Sequence, residues 1–171
     1  MRKIGVIFGG MSTEHEVSIS SGTSIISNLD KQKYEILPIY ISKSGEWYKY
    51  TKPVNDIIPL HVGDEITELE KIENEFECLK SLDIAFPVLH GLYGEDGTIQ
   101  GLLELLKIKY VGCKVLSSSI CMDKVYAKIV FDKAQIPQAD YAYVKAEKGK
   151  YTYVHKNFDE ETLDLDQICK K

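Results

Sequence analysis

The sequence predicts an α/β fold in which an open, mainly parallel sheet carries helices on both faces. Residues 4–8 form an uninterrupted apolar run, which is typical of a strand buried on both faces of a parallel sheet. A helical segment and a second apolar run follow, so that residues 4–41 have the order strand, helix, strand of a parallel unit. Two of the predicted strands end directly in glycine-rich segments. These observations together indicate a Rossmann-like sheet.

Composition narrows the class of function. The chain has 171 residues, of which 44% are hydrophobic and 27% charged, and no apolar run is long enough to cross a bilayer. Its 21 basic and 26 acidic residues give a net charge of −5 without a basic stripe, which disfavours binding to nucleic acid or to a membrane surface. Four scattered cysteines form no Cys-x-x-Cys pair, and the first apolar run is too short for a signal peptide. A reducing, cytoplasmic location is expected.

The first half of the chain supplies the elements of the parallel unit. After Gly9 and Gly10, Thr13 and Glu16 have capping-box spacing and predict the start of a helix. Its expected buried face repeats every fourth residue and comprises Val17, Ser21, Ile25 and Leu29. Residues 34–41 form the second predicted strand, and residues 47–50 form a hairpin arm at the edge of the sheet. The acidic residues 61–80 are interpreted as a solvated excursion.

The second half contains a third strong strand over residues 83–89 and a helix whose stripe includes Ile99 and Leu103. Residues 110–111 predict a further short strand. Serines 117–119 are expected to cap a short helix, and residues 122–134 are predicted as helical up to Pro137.

The last part of the chain begins a new unit. Residues 141–144 and 151–154 have strand character around a turn at 148–150, and residues 158–169 are predicted as a helix with acids in its first turn. We place a domain boundary near residues 119–123, which gives a first domain of residues 1–121 and an incomplete second domain of residues 122–171.

The candidate site lies where the first and third strands end. Loops that follow neighbouring parallel strands meet at the carboxyl edge of the sheet, so Glu14 and His90 are expected to share one pocket. No G-x-G-x-x-G or G-x-x-x-x-G-K-[ST] motif is present, and two acids at the mouth of the first helix oppose an anion. A primary ammonium group on a small substrate suits Glu14, while Glu16 is expected to cap the helix.

Each of these residues also has a purely structural interpretation. Glu14 and Glu16 can both be helix caps, and His90 can be a satisfied histidine that holds its loop. Glu95 and Asp96 favour structural roles, in which Asp96 binds nearby backbone amides. Lys124 can reach a phosphate from the start of the second domain or be a solvated surface lysine.

Three motifs then identify a family. The chain resembles D-alanine:D-alanine ligase, an ATP-grasp enzyme, in FGGMSTEHEVS at residues 8–18, HGLYGEDGTIQG at residues 90–101 and CMDK at residues 121–124. The resemblance covers essentially all of this chain and about the first half of the family's length. It implies a pre-ATP-grasp N-terminal domain followed by the start of the central ATP-grasp domain.

The resemblance also implies an activity and a set of residues. Such a ligase uses ATP and Mg²⁺ to join two D-alanines through an acyl phosphate for peptidoglycan synthesis, and hence for cell-wall biogenesis and cell shape. Glu14 corresponds to the glutamate that anchors the amine of the first substrate. His90 and Gly91 lie near that substrate, and Lys124 corresponds to a lysine that contacts ATP phosphates.

The remaining expectations follow from the same resemblance. The family's metal-binding carboxylates, catalytic arginine and second phosphate lysine correspond to positions after Lys171, so the 171 residues alone are expected to be an inactive, shortened form of a full ligase. A homodimer is expected for the full-length enzyme. Two alternatives stay open: a ligase that uses D-serine or D-lactate as second substrate, and a stand-alone Rossmann-like binding module.

Overall fold

The central strand of the sheet, β1, owes its position to its unbroken apolar sequence. In the computed structural model, which describes residues 1–170, β1 (Arg2–Gly9) pairs in parallel with β2 (Tyr34–Ile41) on one side and with β5 (Ile84–Pro87) on the other. Val6 and Ile7 are completely buried because elements cover both faces of this strand. The predicted α/β fold with a parallel sheet is confirmed.

The first unit spans Met1–Met122. Besides β1, β2 and β5, its elements are α1 (His15–Asn28), β3 (Trp47–Tyr50), β4 (Leu69–Lys71), α2 (Glu75–Lys80), α3 (Thr98–Leu105), β6 (Lys109–Tyr110) and α4 (Val115–Met122). The six strands form one sheet in the order β4-β3-β2-β1-β5-β6. Strands β3 and β4 are antiparallel to their neighbours, and the other pairs are parallel.

Helices cover both faces of the sheet, as predicted. Alternate residues of β1 point to opposite faces, so Phe8 joins a core with Ile26 of α1. Ile7 faces the other side, where it joins a core with Leu79 of α2 and Leu103 of α3. The chain therefore has enough buried apolar surface on each face to fix the register of the strands.

The buried face of α1 differs from the prediction. The expected face began at Val17, which is 45% exposed. The face that packs on the sheet consists largely of small or polar residues: His15, Ser18, Ile19, Gly22, Thr23 and Ile26. His15 and Ser18 bond to groups on or just after the strands, and Thr23 bonds to carbonyls of α1 and to the amide of Leu60. Apolar periodicity alone therefore indicated the wrong side of the helix.

The start of α1 also corrects the predicted capping box. The residue at the N-cap is Glu14, not Thr13, and within the described residues its side chain makes no capping hydrogen bond. Glu16 does not cap the helix either, because its carboxylate lies 3.1 Å from Nζ of Lys43. The carboxylate of Glu14 is therefore left for another role.

The acidic stretch of residues 61–80 is more ordered than the predicted excursion. It contains β4, which pairs with β3 and forms the edge of the sheet, so β3 is not the edge strand. It also contains α2, and Ile72 and Leu79 are 5% and 0% exposed. Single apolar residues among acids were enough to attach the stretch, while the charges face water.

Helix boundaries near residue 120 also differ from the prediction. Helix α4 begins at Val115, so serines 117–119 lie inside it and do not cap it. The predicted helix from residue 122 begins instead at Lys124, because Oδ1 of Asp123 accepts hydrogen bonds from the amides of Val125 and Tyr126.

The second unit begins at Asp123 and contains α5 (Lys124–Lys133), β7 (Ala142–Glu147), β8 (Lys150–His155), β9 (Glu160–Leu163) and α6 (Leu165–Ile168). The hairpin of β7 and β8 agrees with the predicted strand character. The predicted helix over residues 158–169 is wrong in its first half, which pairs with β8 as β9. A capping box between Asp164 and Gln167 starts α6. Among the helices of residues 1–170, none is long and apolar enough to span a bilayer.

The close packing of α1 on β1 gives a first prediction. A Cβ at position 22 would lie 2.5 Å from Cβ of Phe8, so Gly22→Ala overpacks this contact. We expect it to lower the free energy of unfolding of the first unit by about 1–3 kcal/mol. Urea denaturation followed by the fluorescence of Trp47, the single tryptophan, measures this unit.

Gly101→Ala in α3 is the matched control. Apart from the residue itself, its two chain neighbours and the adjacent backbone of α3, no atom of the described residues lies within 4 Å of the position that its Cβ would take. Because alanine favours a helix over glycine, the control should leave stability unchanged or raise it by up to about 1 kcal/mol. Equal stability of the two variants would contradict the close packing.

Candidate functional site

Two loops meet at the carboxyl edge of the first unit's sheet. Strand β1 lies between β2 and β5. The chain continues from β1 to β2 on one side of the sheet and from β5 to β6 on the other, so the loops that follow β1 and β5 start side by side and then diverge. The amide of Val88 donates to the carbonyl of Ile7 at 2.7 Å, and Oγ of Ser12 donates to the carbonyl of His90 at 2.7 Å. The candidate site is built on this pair of loops.

The first candidate side chain is Glu14. It is exposed and immediately precedes α1. A Cβ at position 91 would lie 2.5 Å from Oε2 of Glu14, and Gly91 has φ +68°, which also favours glycine. The carboxylate therefore lies against the backbone of the β5 loop, where a side chain at position 91 would displace it.

The ring of His90 has a polar contact at each nitrogen, and its side chain is partly exposed. Its Nε2 lies 3.1 Å from Oγ of Ser21 on α1, and its Nδ1 lies 3.9 Å from Oε1 of Glu95. The side chain is 33% exposed and lines a cavity of about 370 Å³ formed by the ends of β5 and β6 with α3 and α4. Glu14 does not line this cavity, so the cavity beside His90 is not the pocket that Glu14 and His90 were predicted to share. The two residues are connected through their loops, because Ser12 bonds to the carbonyl of His90 and Glu14 lies against Gly91.

Glu95 and Asp96 have the structural roles that were predicted for them. Oε2 of Glu95 accepts the amide of Gly91 at 2.8 Å. Asp96 accepts the amides of Thr98 and Tyr93, both at 2.9 Å. Burial by itself raises the pKa of Asp96, but these amide hydrogen bonds outweigh it, so that the pKa is lowered. The two carboxylates thus fix the loop that carries His90 and Gly91.

The net electrostatic character of the site is negative. Residues 10–14 and 88–97, which form the two loops, include Glu14, Glu95 and Asp96 but no lysine or arginine. Glu16 is paired with Lys43, whereas no cationic side chain of residues 1–170 forms an ion pair with Glu14. An exposed carboxylate without a counter-ion, beside hydrogen-bonding groups of a rigid loop, can bind a small cation such as an ammonium group.

Lys124 belongs to the second unit. It is the first residue of α5, and its side chain is exposed. The neighbouring Lys128 has a structural role, because its Nζ lies 5.0 Å from the ring centroid of Tyr141 and 3.4 Å from the carbonyl of Ala139. These contacts attach Lys128 to the segment that precedes β7.

The second unit also contains a shallow cavity of about 840 Å³, larger than the one beside His90. Two of its charged groups form an ion pair, since Oδ1 of Asp132 lies 3.0 Å from Nζ of Lys156. Hydrogen bonds from the Gln138 amide and from Lys156 lower the pKa of Asp132, which holds the aspartate in its charged, paired form. Size alone therefore does not make this cavity the better candidate.

Sequence reasoning missed the residues that hold the site together. The hydroxyl of Ser18 accepts the amide of Gly9 at 2.9 Å and donates to the carbonyl of Val88 at 2.6 Å. His15 contacts the carbonyl of Gly10. The helical spacing of these polar residues, three apart and followed by Gly22, was the available signal for a buried polar face.

Comparison with known proteins places these loops in a family. A family model described as "D-ala D-ala ligase N-terminus" matches residues 3–113, which include both loops. D-alanine--D-alanine ligase B of Clostridium tetani is 46% identical over 168 residues, which are 97% of this chain and 45% of the relative. D-alanine--D-alanine ligase of Caldicellulosiruptor bescii is 47% identical over 165 residues, with 91% and 43% covered. The chain spans less than half the length of these relatives.

Solved structures agree with the sequence comparison. The VanG D-Ala:D-Ser ligase from Enterococcus faecalis has a TM-score of 0.69 and 38% identity, covering 84% of this chain and 45% of that one. The D-alanine--D-alanine ligase from Bacillus anthracis, complexed with ATP, has a TM-score of 0.63 and 34% identity, covering 99% and 44%.

The anchoring of the β5 loop by Asp96 gives a pH-dependent prediction. Because the folded-state pKa of Asp96 lies below its ordinary value of 3.8, its stabilising contribution is complete above that value and is lost as the pH falls through the folded pKa. Asp96→Asn cannot accept both amides, so it should be less stable than the unchanged chain by about 1 kcal/mol at pH 7. This difference should shrink near pH 3.

Urea denaturation at the two pH values, followed by Trp47 fluorescence, measures the difference. A gap between the two proteins that is the same at pH 7 and at pH 3 would show that the charge of Asp96 contributes nothing to the loop.

Proposed function

The chain belongs to the D-alanine--D-alanine ligase family, and from this premise we propose that it is the N-terminal part of an ATP-dependent ligase that joins two D-alanines. Residues 1–121 would form its substrate-binding, pre-ATP-grasp domain, and residues 122–171 would begin its central ATP-grasp domain. The observation that carries the proposal is the exposed carboxylate of Glu14, which lies against Gly91 without a counter-ion among the described residues.

The role of Glu14 follows from its charge and its surroundings. A D-alanine has an ammonium group and a carboxylate close together, and a ligase must orient the carboxylate towards the phosphate donor. An acid in a site that has no lysine or arginine binds the ammonium end and repels the carboxylate end. Glu14 would thus fix both the position and the direction of the first substrate.

The loop after β5 would form the wall against which this substrate rests. Gly91 lets the carboxylate of Glu14 approach the backbone, and the preceding residue, His90, has a partly exposed side chain. Ser21 and Glu95 hold the His90 ring in place on either side. The residues of this chain would therefore bind and orient the substrate, which lowers the entropic cost of the reaction.

The reaction that these residues would serve has two steps. An oxygen of the first D-alanine's carboxylate attacks the γ-phosphorus of ATP, which gives an acyl phosphate and ADP. The amine of the second D-alanine, after losing a proton, then attacks the carbonyl carbon and releases phosphate. Activation is required because a carboxylate is a poor electrophile until it has a good leaving group.

Lys124 would contact the phosphates of ATP as a point charge at the start of α5. Mg²⁺ would assist the phosphate transfer, but no group of three or more His, Cys, Asp or Glu side chains within residues 1–170 could hold a metal ion. We therefore assign no residue of this chain to the metal.

The biological setting follows from the proposed activity. D-alanyl-D-alanine is a building block of peptidoglycan, so the enzyme would act in the cytoplasm in cell-wall biogenesis and the maintenance of cell shape. The full-length ligase would be a homodimer, and neither nucleic acid nor a membrane is among the proposed partners.

A second substrate other than D-alanine is an alternative that one comparison favours. The similar structure of a D-Ala:D-Ser ligase indicates that this part of the fold is shared by ligases of different specificity. Because Glu14 would bind the first substrate, its role is the same in both cases. Turnover of the full-length protein with D-alanine alone, or with D-alanine and D-serine, distinguishes them.

Glu14→Gln tests the proposed role directly. In the full-length ligase that carries these residues, loss of a charged hydrogen bond to the ammonium group should lower kcat/KM for the first D-alanine at least about 30-fold. Phosphate release dependent on ATP and D-alanine measures it. Glu16→Gln is the matched control, since its carboxylate is paired with Lys43 at the surface, and it should change kcat/KM less than about twofold.

If the glutamine variant at position 14 retained full activity, the assigned role would be wrong. If the unchanged full-length protein released no phosphate with D-alanine but still bound a small molecule at these loops, the stand-alone binding module would be favoured.

Lys124→Gln tests the proposed contact with ATP. We expect the KM for ATP to rise about tenfold, while the KM for D-alanine changes little, because one charged contact to a phosphate is lost. Lys133→Gln, at the other end of α5, serves as the control and should leave both values unchanged. Equal effects of the two substitutions would reject a specific role for Lys124.

A further inference from the structure

His15 is the first residue of α1, and its side chain is buried although it is polar. The residue is only 3% exposed. Its Nδ1 lies 2.5 Å from the carbonyl oxygen of Gly10, and its Nε2 lies 3.2 Å from the hydroxyl of Tyr40. Neither contact is part of the substrate-binding role proposed for the neighbouring Glu14.

The two contacts determine which nitrogen of the ring carries the hydrogen. A carbonyl oxygen can only accept a hydrogen bond, so Nδ1 must be the donor to Gly10. In a neutral ring Nε2 is then an acceptor, and the hydroxyl of Tyr40 donates to it. Burial raises the pKa of Tyr40, so its hydroxyl retains the hydrogen that this bond needs.

The side chain of Tyr40 is buried and packs against other aromatic rings of the sheet. It lies on β2 and is 9% exposed. Its ring centroid lies 5.9 Å from that of Phe8 and 6.1 Å from that of Tyr48, and the ring of His15 stands edge-on at 5.6 Å. His15 is therefore anchored by packing as well as by hydrogen bonds.

The short loop of residues 11–14 depends on this anchor. At its start, the amide of Gly10 donates to the carbonyl of Ile41 at 2.8 Å, and at its end His15 returns to the carbonyl of Gly10. Between them, Oγ of Ser12 accepts the amide of Glu14 at 3.1 Å and donates to the carbonyl of His90. The bond from His15 thus closes the loop from which Glu14 projects.

We propose that His15 is a positioning residue for Glu14: with hydrogen on Nδ1, its ring closes the loop of residues 11–14 and holds the Glu14 carboxylate against Gly91. This inference rests on the proposed binding of the first substrate's ammonium group by Glu14. It assigns a role in substrate binding to a residue that does not touch the substrate.

Two substitutions separate the contacts of the ring. An asparagine at position 15 places an amide donor near the position of Nδ1, so His15→Asn keeps the bond to Gly10. A glutamine reaches towards the position of Nε2, so His15→Gln keeps the contact with Tyr40 and loses the bond to Gly10. If the loop closure is what matters, the asparagine rescues binding and the glutamine does not.

The kinetic test uses the full-length ligase. We expect His15→Gln to raise the KM for the first D-alanine about tenfold, with kcat changed less than about twofold, and His15→Asn to raise the KM less than about threefold. His61→Gln, at an exposed histidine of the same unit, is the control and should have no effect. Equal KM values for both variants at position 15, or a fall in kcat and thermal stability without a change in KM, would overturn the positioning role.

A second measurement does not depend on the folding of any variant. Long-range ¹H–¹⁵N NMR spectra of the imidazole rings in the unchanged 171-residue chain should show that Nδ1 of His15 carries hydrogen. Hydrogen on Nε2 alone would overturn the assignment. If the full-length protein has no D-alanine-dependent turnover, the proposed function fails while the NMR result still decides the geometry.

Discussion

The hydroxyl of Ser18 makes the interaction on which the rest of this site depends. It accepts the amide of Gly9 and donates to the carbonyl of Val88, so one side chain of α1 joins the ends of β1 and β5. Because Ser18 is completely buried, both of its hydrogen bonds are made away from water, where leaving either backbone group unpaired would cost about 1–3 kcal/mol. The helix, the two strands and their loops therefore hold one another in a single arrangement.

The charge of the site follows from this arrangement. The positive end of α1 would ordinarily attract an anion, and many α/β proteins bind phosphate at the corresponding position. Here Glu14 stands at that end and uses no side-chain hydrogen bond to cap the helix. The helix favours a negative side chain at its first turn, so the exposed carboxylate is tolerated there while it remains available to a cation. The same feature that excludes a nucleotide phosphate makes the loop suitable for an amine.

Much of the fold, but less of the site, could be predicted from the sequence. Long apolar strands such as residues 34–41 are predictable because burial on both faces leaves a continuous signal. The face of α1 was not, since its buried side is polar and bonds to backbone groups that belong to distant strands. Residues 160–163 appeared helical from their acids, but pairing with β8 decided their structure. Glu14 and Gly91 were predicted as site residues from motifs and stay predictions, whereas the buried contacts of His15 were missed because its partners, Gly10 and Tyr40, become neighbours only after folding.

Electrostatics also explains why one unit would bind the amine and another the phosphate. The two loops of the site, residues 10–14 and 88–97, hold three carboxylates and no lysine or arginine, so a phosphate placed there would be repelled. A ligase must nevertheless bring a phosphate to the carboxylate of the substrate whose ammonium group it holds. In the proposed function, the acid that would bind the amine belongs to the first unit and the lysine that would contact the phosphate belongs to the second. An ammonium group held at Glu14 would thus leave the carboxylate of the substrate directed away from the acidic loops.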